Sequence, residues 1–260
     1  MSRGAPGSRA AANPAHTQHE AVRFDWGLSG ALTQDADVTA VVDVLSFTTT
    51  VTVALERGIE VYPFAWTDVR ATSYALARSA SLAVGRSWAG PGEVSLSPTS
   101  VAASEGIERL VLPSPNGSSI CFALAAARRT NTVLAASLRN ASAVADTLTQ
   151  ELAAGRTVAL IAAGERWPDR SLRPAVEDLW GAGAVIHGLL ERGVVDVSVE
   201  AQVAASAYAA VSGVIPAVLA GCATGRELTA RGFSADLDLA CFTGSRVVPR
   251  LLGESFAPET

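Results

Sequence analysis

A chain of 260 residues that is 49% hydrophobic and 17% charged can bury roughly 70% of its unfolded surface, so it folds without disulfides or structural zinc. Its apolar residues fall in short runs, none near the roughly 20 needed to cross a bilayer, and a net charge of −5 with no basic run argues against nucleic-acid and membrane partners. All 20 basic residues are Arg, which removes Schiff-base, pyridoxal and P-loop chemistry, each of which needs a lysine.

In chain order, residues 1–20 are polar and rich in Ala, Pro and Ser. They lack an apolar signal core and read as a disordered tail of a cytoplasmic protein. Residues 21–26 alternate weakly, as an edge strand does. Residues 38–45 (VTAVVDVL) are an apolar, β-branched strand, followed by a Thr-rich loop and a helix that closes on Gly58. A strand over 59–64, a helix over 74–82 and a short strand over 82–84 follow, then a Gly/Pro/Ser-rich loop over 87–99.

Three strand–loop–helix units come next. They pair a strand over 109–112 with a helix over 120–128, one over 132–136 with a helix over 141–154, and one over 157–162 with a helix over 175–192. The final third is helical over 204–210 and 217–231 and closes with segments 237–242 and 247–252. This alternation predicts an α/β fold. It is a three-layer α/β/α arrangement with a largely parallel or mixed central sheet, built as one domain over 21–260.

Common catalytic templates are missing. His16 and His19 lie in the tail, and His187 sits in a helical pattern; neither GxSxG nor HExxH occurs. Cys121, Cys222 and Cys241 are odd in number and far apart, the pattern of a reducing compartment. The candidates are therefore the strand-to-helix loops, which in a parallel sheet emerge where ligands bind.

These loops carry Thr48 and Thr49; Asn116, Gly117 and Ser118; Ser137, Arg139 and Asn140; and Arg166 and Arg173. Each hydroxyl-rich loop alone is an ordinary helix cap; several on one edge suit an anion such as phosphate. Asp43 is a carboxylate in an otherwise apolar strand, costly to bury unless it meets a metal, an Arg or a proton. Glu177 and Asp178 open a long helix, where first-turn acids also favour the dipole. Such oxygen donors suit Mg²⁺.

The segments VVDVLSFTTTVTVAL, LVLPSPNGSSI, VLAASLRNASAVA, AAGERWPDRSLRPAVEDLWGAGAVI and ATGRELTARGF, with a closing VVP, follow one order. That order resembles the 2-phosphosulfolactate phosphatase family, the ComB-like proteins. The likeness runs from about Val38 to Leu251. It implies a Mg²⁺-dependent α/β phosphatase that releases phosphate from 2-phosphosulfolactate. Ser46 stands where the family usually has Arg. Ala162, Ala163 and Gly164 replace a frequent Cys-Ala-Gly, which excludes a thiol nucleophile at that strand end. Val84–Arg86 and Ser95–Pro98 occupy the places of a Gly-Glu-Arg and a Gly-Asn-Ser-Pro element.

The expected activity is thus a Mg²⁺-dependent phosphatase acting on a small, multiply anionic organic phosphate, either 2-phosphosulfolactate or a related phosphorylated acid. Asp43 binds Mg²⁺ or attacks phosphorus. Glu177 and Asp178 add metal oxygens or position water. Thr48, Thr49, Asn116, Gly117, Ser118, Ser137 and Asn140 hold phosphate, while Arg139, Arg166 and Arg173 take the second anionic group by forked hydrogen bonds. The alternative is a catalytically divergent anion-binding or regulatory protein on the same fold; a third reading is another hydrolase or lyase on that scaffold. A homodimer is compatible with all three.

Overall fold

The computed structural model describes residues 17–127 and 132–258. Four parallel strands form the first sheet, in the order β1 (Val22–Trp26), β7 (Val158–Ala162), β2 (Val38–Val42) and β6 (Thr132–Ala136). Every residue of β2, β6 and β7 is buried. A strand covered on both faces carries a continuous apolar run in place of alternation, which is why these three are plain in the sequence.

On one face lie α6 (Ala141–Ala153), α7 (Val176–Glu191) and α8 (Val199–Ala209), packed on Ala40, Val42, Leu134 and Leu160. On the other lie α1 (Gly27–Thr33), α2 (Phe47–Glu56) and α5 (Gly117–Ala127), with Phe47, Val51 and Leu124 packed on Val41, Ala135 and Ile161. The expected three-layer α/β/α arrangement is therefore present.

A second, mixed sheet lies beyond α2 and α5. Its order is β10 (Leu251–Leu252), β11 (Ser255–Phe256), β3 (Glu60–Phe64), β5 (Arg109–Pro113) and β4 (Ser81–Leu82). Val61, Leu110 and Leu112 join the same core as α2 and α5, so those helices are sandwiched between the two sheets. The outer face of this sheet packs Phe64 and Val111 on α3 (Val69–Leu76). One bridge, Leu134 to Arg250, and a hydrogen bond from the Ala135 N–H to the Pro249 carbonyl link the sheets.

The remaining helices are α4 (Pro98–Ala103), α9 (Ile215–Gly221), α10 (Ala223–Ala230) and α11 (Ser234–Cys241), and a small hairpin pairs β8 (Glu165–Arg166) with β9 (Leu172–Arg173).

Several boundaries differ from the sequence reading. Helix α2 begins at Phe47 because the Thr48, Thr49 and Thr50 hydroxyls donate back to the carbonyls of Asp43, Val44 and Ser46, which draws the Thr run into the first turns. Helix α3 starts at Val69, not 74, since Asp68 caps it by accepting the Arg70 N–H. The expected 217–231 helix is broken between α9 and α10, where Cys222 Sγ accepts the Gly225 N–H as a new cap.

Of the expected tail, residues 1–16 lie outside the described residues. Residues 17–20 are tied down: the Gln18 amide donates to the Phe24 carbonyl at 2.7 Å and accepts the Phe24 N–H at 3.0 Å. Among the described residues no single helix is long and apolar enough to cross a membrane; α8 and Ser212–Gly221 pass that test only as a pair bent by 41°.

Candidate active site

Asp43 follows the last residue of β2 and is only 5% exposed. Its backbone is clamped by Thr48, whose hydroxyl donates to the Asp43 carbonyl at 2.7 Å and accepts its N–H at 2.9 Å. Its carboxylate accepts the Gly117 N–H through Oδ2 at 2.9 Å. Gly117 opens α5, and a Cβ there would sit 2.8 Å from Asp43 Oδ2 and 2.9 Å from the Phe47 ring. Only glycine allows this approach. The contact joins the edge of the first sheet to the loop after β5 in the second.

Asp178, in the first turn of α7, is the second fixed carboxylate. Oδ1 accepts the Val44 N–H at 2.8 Å and Oδ2 the Gly164 N–H at 2.9 Å. Gly164 has φ +67°, and a Cβ on it would lie 2.7 Å from Leu172. Glu177, beside Asp178 and equally buried, neighbours the Cys222 thiol. Glu165, in β8, accepts from Asn116 Nδ2 at 2.9 Å.

Four carboxyl groups thus share one electrostatic neighbourhood. Burial pushes Asp43 up to about 7, and the Glu165 charge adds to this; the Gly117 and Phe47 N–H groups and Arg86 oppose it. Burial raises Asp178 well above the usual carboxylate range, with Asp43 and Glu177 as further causes. Glu165 is raised by burial and by Glu177, against the Asn116 hydrogen bond and Arg173.

The counter-charge is sparse. Arg86 donates to Asp236 Oδ2 at 2.9 Å and to the Leu45 carbonyl at 2.7 Å. Asp236, from α11, is itself buried and also takes the Ser97 hydroxyl at 2.5 Å. A cavity of about 310 Å³ opens beside this group, lined among others by Asn116, Glu165, Arg166 and Arg170.

The structure brings together Asp43, Glu177, Asp178, Asn116 and Gly117, with Arg173 beside Glu165 and Arg166 on the cavity wall. The others do not reach the group. Thr48 and Thr49 are fully buried, and their hydroxyls go to the Asp43 and Val44 carbonyls at 2.7 and 2.6 Å. The Ser118 hydroxyl accepts the Phe64 N–H, and its one proton is shared between the Phe64 and Leu112 carbonyls, each at 2.9 Å, tying β3 to β5.

Ser137 and Asn140 form a capping box, and the Asn140 amide donates to the carbonyls of Ala135 and Val247. Arg139 pairs with Glu56 at 2.6 Å and stacks on Phe242. These positions read as phosphate donors because a helix cap and an anion site use the same residue types. Their polar groups serve the backbone or a neighbouring acid.

Glu165, Arg86, Asp236 and Ser97 are additions. Glu165 lies in β8, within the AAGERWPDRSLRP stretch after β7, while Arg86 and Ser97 fall in the two stretches that depart from the family pattern. Those stretches were the available signal. Asp236 left none, being one acid in a helical SADLDLAC pattern.

A family model for 2-phosphosulpholactate phosphatase matches residues 29–253. The chain belongs to the 2-phosphosulpholactate phosphatase family. The matched span contains the whole carboxylate group, Arg86, Asp236 and the Asn116–Gly117 loop. No curated protein matches the chain.

The family resemblance implies Mg²⁺, which would need oxygen donors here. Among the described residues, no three His, Cys, Asp or Glu side chains form a ready-made metal cage. The donor chemistry still suits a hard cation, because Mg²⁺ keeps several waters and needs only one or two carboxylates plus substrate oxygens. These acids are raised above their usual range first by burial and then by one another, and a cation would supply the positive charge they lack. Asp178 gives both oxygens to backbone N–H groups and Asp43 takes those of Gly117 and Phe47, so Glu165 and Glu177 would have the most spare oxygen capacity, with Asp43 beside them. The thiols do not compete: burial pushes Cys222 up to about 11 and raises Cys121 further.

Proposed function

We propose that this chain is a Mg²⁺-dependent phosphomonoesterase acting on 2-phosphosulfolactate or a related small phosphorylated acid. The observation that carries the reading is the Asp43–Gly117 contact, which sets a buried strand-end carboxylate against a helix N-terminus and among Glu165, Glu177 and Asp178. Phosphoryl transfer needs positioning and charge neutralisation more than elaborate covalent chemistry.

In this reading the substrate enters by the Asn116–Glu165–Arg166 cavity. Asp43, Glu165 or Glu177 would hold Mg²⁺, which would supply positive charge against the phosphate. Arg166 and Arg173 take the second anionic group of the substrate. Asp178 positions the Val44 and Gly164 backbone, and Arg86 holds the Leu45 carbonyl beside the site. Water adds to phosphorus as the ester P–O bond breaks, giving the hydroxy acid and inorganic phosphate.

Phosphate release from a panel of small phosphorylated acids tests this. EDTA should abolish turnover and Mg²⁺ restore it, with zinc not required; full activity in excess chelator defeats the metal assignment. The lack of a three-ligand cage among the described residues favours one other reading, an anion-binding protein that no longer hydrolyses. That reading predicts saturable binding of 2-phosphosulfolactate with no phosphate released at any Mg²⁺ concentration.

A further inference from the structure

A larger cavity, of about 660 Å³, lies between α6, the C-terminal half of α7 and the 243–250 segment. It shares no lining residue with the cavity beside Glu165. Arg139, Arg192, Arg246 and Arg250 line it, against the acids Asp146 and Glu191. Those acids have cationic or imidazole neighbours already: Asp146 pairs with Arg192 at 2.7 Å, and Glu191 lies 3.4 Å from His187. Arg250 pairs with Glu151 at 3.3 Å.

Two basic groups are left with unmet capacity. Arg246 is exposed and has no ion pair among the described residues. Arg139 is buried on nine-tenths of its side chain; its two terminal nitrogens go to Glu56 and the Leu239 carbonyl, and its Nε has no partner. A buried N–H without an acceptor is costly, and an anion is the natural acceptor for a guanidinium.

The rest of the wall agrees. Ala141, Ser142 and Ala143 from the first turn of the 13-residue α6, with Asp146 and Thr147 from the next, line the cavity, which lies along the N-terminal flank of that helix. Thr243 and Ser245 add hydroxyl groups. The rings of His187 and Tyr208, 5.8 Å apart and tilted by 57°, also line the cavity and give it an aromatic wall for an organic body. The volume is that of a pocket for a small molecule rather than a lone ion.

We propose that this cavity is a second anion site, separate from the Asp43 centre, that binds a phosphate-bearing small molecule through Arg139 and Arg246, beside the first turns of α6. Arg139 thus serves an anion in a cavity whose wall includes none of the four clustered carboxylates, and not the substrate at the Asp43 site as expected from sequence.

Titration calorimetry of the full chain with pyrophosphate, and with malonate as a carboxylate control, tests the proposal. Wild type and Asp43→Asn should bind pyrophosphate alike at this site, while Arg246→Ala weakens it at least tenfold and keeps phosphatase turnover within twofold. Arg139→Gln, with its fold checked by circular dichroism, should weaken it as well. The proposal is overturned if wild type shows no saturable binding, if binding disappears in Asp43→Asn, or if Arg246→Ala binds as wild type does. Tighter binding of malonate than pyrophosphate overturns the phosphate assignment. Because Arg246 lies outside the Asp43 centre, these results leave the phosphatase reading to its own assay.

Discussion

Asp43 is where burial, hydrogen bonding and charge oppose each other most sharply. Asp43→Asn keeps an acceptor for the Gly117 N–H and removes the charge. We expect turnover to fall by at least about 10³, equivalent to roughly 4 kcal/mol of barrier. The folded state binds the Asp43 proton up to about pH 7, against an ordinary value of 3.8. Stability from that proton is therefore complete below about pH 4 and is lost as pH rises to 7, at about 1.4 kcal/mol per pH unit while the folded form alone is protonated. In EDTA, both proteins should lose melting temperature from pH 5 to 8, because burial still raises Asp178 and Glu165, and the Asp43→Asn variant should lose less than wild type. If the variant melts earlier at pH 8 yet keeps its turnover, Asp43 is structural. Gly117→Ala forces a methyl to within 2.9 Å of Asp43. It should cost roughly 1–3 kcal/mol by denaturant melts, with at least a tenfold loss of turnover; wild-type values for both would show that the contact is loose.

At the scale of elements, α7 acts as a fastener. Its first turn places Asp178 where one carboxylate holds the chain after β2, at Val44, and after β7, at Gly164. Asp178→Ala leaves two N–H groups without this acceptor, a loss of about 2–5 kcal/mol, whereas Asp178→Asn retains one acceptor and should lose less. Chemical denaturation of the two variants decides it, since equal midpoints would mean that water or a neighbour replaces the carboxylate. The acids of this helix start are legible because a first-turn Glu-Asp pair is a recognised dipole partner. That one of them braces two strand ends is not, because the partners lie 134 and 14 residues away.

Across the whole molecule, the C-terminal helices close the site. Asp236 on α11 reaches Arg86 and Ser97, and through Arg86 the Leu45 carbonyl. Asp236→Ala strands a largely buried guanidinium and should lower stability by about 3–5 kcal/mol; an unchanged melting temperature would show that Arg86 re-solvates freely. Deleting this tie should also raise KM more than it lowers kcat, since Arg86 holds backbone at the mouth of the site and transfers no proton.

The sequence by itself determined the α/β class, the three fully buried strands and the family. Apolar runs of β-branched residues, helix periods and motif order are local properties, readable without knowing what packs on them. It also singled out Asp43, because a carboxylate in such a run has few cheap explanations. Tertiary structure decided the rest. The β5 loop belongs to a different sheet from β2, and only the folding of the second sheet over α2 and α5 brings Gly117 to Asp43. The same packing turned the hydroxyls of Thr48, Thr49 and Ser118 inward, where backbone carbonyls claimed them. Arg139 went to Glu56 and a separate cavity, and Glu165, Arg86 and Asp236 converged from 71 to 150 residues apart. A polar side chain's role depends on which partner it meets first, and that is fixed by long-range packing rather than by its neighbours in the chain.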